Sequence, residues 1–238
     1  MARTCAVPLA DGVWRIPTSV GNLVNTFALR DPDGSVTLVD AGVRWLGSRR
    51  ILAGLAELGA RPADVTRIVV THAHIDHAGG LARLVRETGA QVCSHERDSI
   101  YLREGRVPRV NRASRAARIV ARFTPQKMPR VPVAEEFADG TVLPVAGGLR
   151  VVHTPGHTPG HVSLLHERSG VLITGDAVFN VRGLRWAPSW TCTDPARNRR
   201  AADVLGELDY QVAAFTHGPE VRHRAREAVR AFLRGRER

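Results

Sequence analysis

Hydrophobic and polar residues alternate along the first forty residues of the chain, as they do in half-buried β-strands. The segments with this pattern are GVWRIP (12–17), NTFALR (25–30) and VTLVDAG (36–42). The residues DPDG (31–34) separate the second segment from the third and predict a hairpin turn. From Leu46 to Leu58 the apolar residues take a helical spacing, and Gly59 then suits the C-terminal cap of a helix.

The remainder of the chain alternates short apolar segments with glycine, proline and polar residues. A β-branched segment, TRIVVTH (66–72), predicts a buried strand, and Gly79-Gly80 precedes a predicted helix at about 81–87. Further strands are predicted in AQVCSH, TVLPV, LRVVHTPGH, HVSLLHE, VLITGDAVF and YQVAAFTHG. A helix over 193–208 is predicted to start with Asp194 as N-cap and Pro195 in its first turn. A C-terminal helix is predicted to carry Val221, Ala225, Ala228, Val229 and Phe232 on one face.

This order of elements predicts an α+β fold, in which two packed sheets carry helices on their outer faces. The length of 238 residues suits one domain, so residues 1–238 are expected to fold together. Residues 96–135 differ from the rest, because they are rich in arginine and are interrupted by Pro108, Pro125, Pro129 and Pro132. We interpret them as an insertion in this fold, and a lid and a homodimer contact are both open roles for it.

Composition points to a cytoplasmic protein with no membrane contact. The hydrophobic fraction of 43% and the charged fraction of 24% are typical of globular proteins. No apolar run reaches the roughly 18 residues that a membrane-spanning helix needs, and the first residues lack a secretory signal pattern. Cys5, Cys93 and Cys192 are far apart in the sequence and are expected to be reduced thiols.

The net charge of +11 raises the question of a nucleic-acid partner. Lys127 is the only lysine, so almost all the positive charge is arginine. The arginines are spread along the chain, with denser stretches at 106–123 and 222–238. A dispersed arginine bias reflects genomic base composition at least as much as phosphate binding, so we favour a solvated basic surface.

The segment THAHIDHAGG (71–80) crowds three histidines and an aspartate directly after a predicted strand. In an extended stretch His72 and His74 point the same way, with Asp76 close behind. His77 faces elsewhere unless the backbone turns and sends it to a second point nearby. This spacing suits two adjacent metal centres better than one. Nitrogen and oxygen ligands without thiolate favour zinc, with iron or manganese as alternatives.

Later predicted strands end on residues of the same kind. His157 and His161 lie in the loop TPGHTPGH, Asp176 follows an apolar strand in LITGDAVF, and His217 follows another in AFTHG. A rigid sheet can direct such residues from several loops to one shared site. The histidines for which we expect no ligand role are His95, His153, His166 and His223.

Taken in order, H-x-H-x-D-H, T-P-G-H-T-x-G-H, G-D and a histidine before glycine resemble the metallo-β-lactamase superfamily. The motifs run from Asp40 to His217, nearly the whole chain, and the resemblance implies an αβ/βα sandwich with two metal ions at one edge. It implies a first ion bound by His72, His74 and His157, a second bound by Asp76, His77 and His217, and Asp176 bridging the two. Asp40 matches a position that supports the metal loop, and His161 matches a structural one.

The implied reaction is hydrolysis by a dinuclear zinc centre. Two ions about 3.5–4 Å apart lower the pKa of a bridging water towards about 7, and the hydroxide would cleave an ester, thioester or lactone of a small molecule. Asp76 would also act catalytically by orienting the nucleophile and relaying its proton. Trp186 and Trp190 are candidates for an apolar wall of the substrate pocket, although they could equally hold a loop to the surface.

Departures from particular branches of the family narrow the substrate. Asp176 stands where one branch of zinc β-lactamases has a cysteine ligand, and His74 stands where flavo-diiron proteins have glutamate. About twenty residues follow His217, with no counterpart of the glutathione-binding helices of glyoxalase II. The alternatives are a phosphodiesterase acting on nucleic acid, a mononuclear iron persulfide dioxygenase, and a structural metal binder without activity.

Overall fold

The computed structural model describes residues 6–111, 118–119, 122 and 126–235. Its strands are β1 (Val7–Ala10), β2 (Val13–Pro17), β3 (Asn25–Arg30), β4 (Val36–Val39), β5 (Val65–Val70), β6 (Gln91–His95), β7 (Glu135–Phe137), β8 (Val142–Leu143), β9 (Leu149–His153), β10 (Val162–His166), β11 (Val171–Ile173), β12 (Val178–Asn180), β13 (Leu184–Trp186) and β14 (Val212–Ala214). Its α-helices are α1 (Leu46–Glu57), α2 (Ile75–Ala78), α3 (Leu81–Thr88), α4 (Glu96–Glu104), α5 (Pro195–Ala201) and α6 (Ala225–Arg234).

The strands form two mixed sheets and a separate hairpin. The first sheet has the order β1-β2-β3-β4-β5-β6-β7, antiparallel as far as β4 and parallel from β4 to β7. The second has the order β14-β11-β10-β9-β8, in which only the β11–β14 pair is parallel. β12 and β13 pair only with each other. The two packed mixed sheets of the predicted αβ/βα sandwich are confirmed.

Successive side chains along the central strands belong to different hydrophobic clusters. In β5, Ile68 and Val70 join the cluster that includes α1 and α3 residues, whereas Val69 joins the cluster between the two sheets. In β11, Ile173 faces this inner cluster and Leu172 packs with residues of α6. Because both faces of these strands are buried, they appear in the sequence as continuous apolar runs.

Several elements lie where the sequence predicted them. β3 coincides with the predicted segment 25–30, and α1 begins at Leu46 as predicted. Gly59 follows α1 with a φ of 69°, the left-handed conformation that favours glycine after a helix. The Asp194 carboxylate caps α5 by accepting from the Arg197 backbone N–H at 2.9 Å.

Other elements differ from the prediction. The helix predicted over 193–208 is α-helical only to Ala201 and continues as a 3-10 helix, Ala202–Gly206. The prediction that Val221 lies on the C-terminal helix is wrong, because α6 begins at Ala225 and Val221 forms an isolated bridge with Ala213. The single strand predicted over VLITGDAVF is wrong, because the 3-10 helix Gly175–Ala177 divides it into β11 and β12. β1, β7 and β13 were not predicted.

The segment predicted as an insertion, about 96–135, begins with the regular helix α4. Its residues Asp98, Ser99 and Leu102 are buried, so this helix is packed onto the body of the fold. Residues 112–117, 120–121 and 123–125 of the segment lie outside the described residues.

The described helices are all too short or too polar to cross a lipid bilayer. Cys93 and Cys192 are buried free thiols, in agreement with the prediction, and Cys5 lies outside the described part of the chain.

Candidate metal centre

Four loops at the carboxyl ends of strands bring the predicted ligand residues together. His72, His74, Asp76 and His77 follow β5, His157 and His161 follow β9, Asp176 follows β11, and His217 follows β14. Three sets of these side chains place one nitrogen or oxygen each within 4.8 Å of one another: His72, His74 and His157; Asp76, His77 and His217; and, between these two, His72, His77 and Asp176. The strand ends therefore converge on one site between the two sheets.

A sharp turn after His74 explains how one short segment contributes side chains to two different sets of potential ligands. His74 has an extended backbone, and α2 begins at the next residue, so that His77 is rotated away from His74. The turn is fixed by a hydrogen bond of 2.6 Å from the Ala41 N–H to the His77 carbonyl. Gly80 is required there, because a Cβ at this position would lie 2.2 Å from the Ala41 carbonyl oxygen.

The first set consists of His72, His74 and His157. His74 Nδ1 and His157 Nε2 are 2.9 Å apart. His72 Nε2 is buried and has no hydrogen-bond partner among the described residues. A buried polar atom without a partner is costly, and three imidazole nitrogens facing one point form a ready set of ligands.

The second set consists of Asp76, His77 and His217. His77 Nε2 and His217 Nε2 are 3.3 Å apart, and Asp76 Oδ2 lies 3.6 Å from each of these nitrogens. The Asp76 side chain is 38% exposed, in contrast to the buried His77 ring. It therefore faces both the second set and the solvent.

Asp176 lies between the two sets and offers one oxygen to each. Its Oδ2 is 3.1 Å from His157 Nε2 and 3.8 Å from His72 Nε2. Its Oδ1 is 3.2 Å from His217 Nε2 and 3.4 Å from His77 Nε2. This is the arrangement that a carboxylate bridging two cations requires.

The ring nitrogens that face away from the centre are mostly held by protein atoms. The contacts are His72 Nδ1 to Thr71 Oγ1 at 3.0 Å, His77 Nδ1 to Asp40 Oδ2 at 2.8 Å, His157 Nδ1 to Cys192 Sγ at 3.5 Å, and His217 Nδ1 to the Leu23 carbonyl. Such partners fix the tautomer and the orientation of histidines that bind metals. Cys192 and Leu23 were not recognised from the sequence.

Asp40 and His161 lie outside both sets and form hydrogen bonds to residues of these sets and to Asp176. Asp40 has a φ of 66° and accepts the Thr71 N–H at 2.7 Å and the Thr71 hydroxyl at 2.8 Å, in addition to His77. His161 Nε2 accepts the Asp176 N–H at 2.7 Å, and its Nδ1 donates to the Thr154 carbonyl at 2.9 Å.

Asp98 is a supporting residue that the sequence analysis missed. It is 1% exposed. One carboxylate oxygen accepts the Ala73 N–H at 2.8 Å and the Thr158 hydroxyl at 2.7 Å, and the other accepts the Gly160 N–H at 2.6 Å. Asp98 thus joins the loop of His72 and His74 to the loop of His157. Its position in the first turn after β6, another strand of the same sheet, was the available signal.

The carboxylates set the protonation of the buried histidines. Burial lowers the pKa of His77, but Asp176, Asp76 and Asp40 outweigh it and raise this pKa to about 10. Burial also opposes the charge on His157, whose pKa Asp176 and Cys192 raise to about 9.

The pKa values of the neighbouring His74 and Asp176 are instead lowered. Burial, with the nearby His157, lowers the pKa of His74 to about 3. Burial raises the pKa of Asp176, but His217 and His77 outweigh it and hold this pKa well below its usual range.

The predicted pocket residues have different surroundings. The Trp186 ring packs on Phe232 of α6 at 4.8 Å between ring centroids, and the Arg199 guanidinium lies over it. Phe179, on the opposite face of the same hairpin, stacks on His217 at 4.2 Å. Phe179 therefore contacts the candidate metal centre through His217, whereas Trp186 packs against α6. Trp190 is 44% exposed.

The histidines for which we predicted no ligand role lie in none of the three sets. His95 stacks on His153 at 4.1 Å, and His166 Nε2 donates to the Ala146 carbonyl at 2.8 Å. His223 is exposed.

Comparison with known proteins decides the family. Residues 20–225 match the family model of the metallo-β-lactamase superfamily. The chain belongs to this superfamily. Metallo-β-lactamase folds carry metal ions, and the three sets described above could hold them.

Relatives within the superfamily support a hydrolase. An uncharacterized protein of Bacillus subtilis strain 168, YobT, is 30% identical over 229 residues, which are 89% of this chain and 91% of YobT. The hydroxyacylglutathione hydrolase of Anaeromyxobacter dehalogenans strain 2CP-C is 36% identical over 178 residues, which are 74% of this chain and 52% of that enzyme. The crystal structure of a metallo-β-lactamase family protein from Thermus thermophilus superposes with a TM-score of 0.70 at 28% identity, covering 96% of this chain and 81% of that one.

Proposed function

We propose that this protein is a dinuclear zinc hydrolase that cleaves an ester, thioester or lactone bond of a small molecule. The observation that carries the proposal is the position of Asp176, with one oxygen toward each of two histidine sets. The first ion would be held by His72, His74 and His157, and the second by Asp76, His77 and His217. Asp176 would bridge them.

The donor atoms fit two zinc ions. Both sets contain nitrogen and oxygen donors only, which zinc accepts, and each set leaves coordination positions open for substrate and water. His72 Nε2, which is buried without a partner in the described structure, would gain one in the ion. The similarity to a hydroxyacylglutathione hydrolase supports a carbonyl substrate, thioesters included.

When bound, two ions would lower the pKa of the attacking water and polarise the substrate carbonyl. Asp76 is placed to handle the proton, since its carboxylate is partly exposed and lies beside His77 and His217. Burial raises the pKa of Asp76, but His77 and His217 outweigh it and lower this pKa overall, so that the group is a carboxylate at neutral pH. Asp76 would orient the attacking water, accept its proton and pass that proton to the leaving group.

Apolar groups beside His217 would receive the acyl part of the substrate. Phe179 covers the His217 ring on one side. Leu23, whose carbonyl accepts from His217 Nδ1, is 53% exposed. An apolar rim next to convergent polar ligands is typical of small-molecule sites.

We also propose that residues 1–238 act as a single catalytic domain. The family match over 20–225 supports this. The arginine-rich segment at about 96–135 would then be an insertion beside the site, because its residues 127–129 line a cavity next to α2.

The test is a panel of neutral esters, thioesters and lactones, assayed with the zinc-loaded protein. We expect turnover of at least one class, and a loss of at least about a hundredfold in kcat/KM in Asp176→Asn. Asp194→Asn is the matched control, because it makes the same change at the cap of α5, where asparagine caps equally well. Equal activity in the wild type and Asp176→Asn would contradict the proposal.

A further inference from the structure

A cavity of about 400 Å³ lies beside α2, next to the candidate metal centre. The residues that line it are Arg44, Ile75, Gly79, Lys127, Met128 and Pro129. Ile75 stands between His74 and Asp76 in the chain, so the cavity and the candidate metal centre share the short helix α2 as a wall.

The cavity combines two free cations with an apolar floor. Arg44 and Lys127 are exposed, and within the described structure neither forms an ion pair. None of the six lining residues is acidic. Many other arginines are neutralised locally, as Arg150 is by Glu167. Two uncompensated positive charges beside a small cavity attract an anion.

Both cations project from backbone that is tied to the fold. The Arg44 backbone N lies so close to α2 that a Cβ on Gly79 would be 3.1 Å from it. Lys127 forms an isolated bridge with Arg106, and the next residue, Met128, donates to the Gly105 carbonyl at 3.0 Å. The backbone of Arg44 is therefore held beside α2, and that of Lys127 beside the residues that follow α4.

We propose that this cavity binds an oxyanion group of the substrate, a carboxylate or a phosphate, while the scissile carbonyl lies at the candidate metal centre. The Arg44 guanidinium would bind the oxyanion through two N–H groups and Lys127 through its point charge. Ile75 and Met128 would contact the carbon chain between the two ends. The inference rests on the proposed hydrolase function and narrows its substrate to anionic acyl compounds.

The test compares thioester substrates that differ in the charge of the group at one end. We would measure kcat/KM for 3-(acetylthio)propionate, for its neutral methyl ester and for 2-(acetylthio)ethyl phosphate. The wild type is expected to prefer at least one anion over the neutral ester by about tenfold or more. The preferred anion tells a carboxylate from a phosphate.

Single substitutions assign the preference to the cavity. Arg44→Ala and Lys127→Ala are each expected to lower the ratio of anionic to neutral kcat/KM by about fivefold, the size of an exposed charge pair. Arg44→Lys should retain part of the preference for the anionic substrate. It keeps the positive charge but loses the pair of N–H groups with which a guanidinium binds an oxyanion. Arg200→Ala, which removes an exposed charge at the end of α5, is the control and should leave the ratio unchanged.

A binding measurement separates this inference from the proposed function. Calorimetry with the uncleavable thioether 3-(propylthio)propionate and its methyl ester should show tighter binding of the anion, lost in Arg44→Ala and Lys127→Ala. If none of the three thioesters is hydrolysed, the proposed thioester hydrolysis fails, while the thioether titration still tests whether the cavity binds an anion. Equal Kd values for anion and ester, or a preference untouched by both substitutions, would overturn the inference.

Discussion

Two buried histidines must exchange a proton for a metal ion at neutral pH. Carboxylates raise the pKa of His77 to about 10 and that of His157 to about 9, although burial opposes both shifts. A protonated imidazole cannot bind a metal, so raising the pH from 7 to 9 favours binding. We predict that the apparent zinc affinity of each site rises by up to about tenfold per pH unit in this range, and less steeply as the pH approaches the pKa of His157.

Chelator competition across this pH range measures the affinity, after correction for the chelator's own protonation. Calorimetry in two buffers of different ionisation enthalpy counts the protons released. An affinity independent of pH between 7 and 9, with no proton release, would show that both histidines are already neutral.

Asp98 acts at the same scale by holding two ligand loops together. It accepts three hydrogen bonds, from Ala73, Thr158 and Gly160. In Asp98→Asn the amide directs N–H groups at one or more of these donors, which leaves a buried donor unsatisfied. We predict a loss of about 1–3 kcal/mol in the free energy of unfolding and of about 10–100-fold in zinc affinity.

Denaturant unfolding and zinc titration of the same preparations would check this prediction. Asp33→Asn, the same change on the exposed turn before β4, is the control. Wild-type zinc affinity in Asp98→Asn would mean that the hydrogen bonds of Asp98 are structural only.

At the scale of elements, the two faces of the hairpin β12–β13 have different roles: one face contacts the candidate metal centre and the other packs against α6. Phe179 faces His217, and Trp186 packs on α6. We predict that Phe179→Ala raises KM severalfold, because the apolar wall beside the site is lost. Trp186→Ala should instead lower the free energy of unfolding by about 1–3 kcal/mol through lost packing on α6. Steady-state kinetics and denaturant unfolding of both variants test this, and a rise in KM confined to Trp186→Ala would reverse the assignment.

Local patterns sufficed to predict the elements whose partners are near in sequence. The segment 25–30 alternates clearly and pairs with adjacent strands, and α1 carries its own end signal in Gly59. β12 and β13 have three residues each, so that their pairing depends on the loop between them and on packing against α6. The sequence spacing of Val221 suggested that it lies on the apolar face of the C-terminal helix, but its backbone pairs with Ala213 instead.

The candidate ligands were easier to predict than the residues that support them. Histidine and aspartate at strand ends are rare enough to signal a site, and the structure brings all seven together. Asp98 and Cys192 contact the ligand loops through residues at least 25 positions away, and neither residue type signals this by itself. The contact of Cys192 is therefore visible only in the tertiary structure, whereas Asp98 has a partial sequence signal in its position after β6.

At the scale of the whole molecule, the net charge of +11 is distributed and partly neutralised. Arg15, Arg103 and Arg150 each pair with a glutamate. We therefore predict that kcat/KM for a neutral substrate changes by less than about twofold between 50 and 500 mM NaCl. Salt screens the surface charges, but a neutral substrate does not depend on them for binding. Binding of nucleic acid would weaken by orders of magnitude over this range. Cleavage of RNA or DNA with a steep loss in salt would favour the phosphodiesterase alternative.

Elemental analysis of the purified protein tests the central claim most directly, because it counts metal ions per chain. Two sets of ligands bridged by Asp176 predict close to two zinc ions in the wild type, falling to about one or fewer in Asp176→Asn and unchanged in Asp194→Asn. Close to one iron ion per chain, with the same content in Asp176→Asn, would contradict a bridged pair and favour the mononuclear dioxygenase.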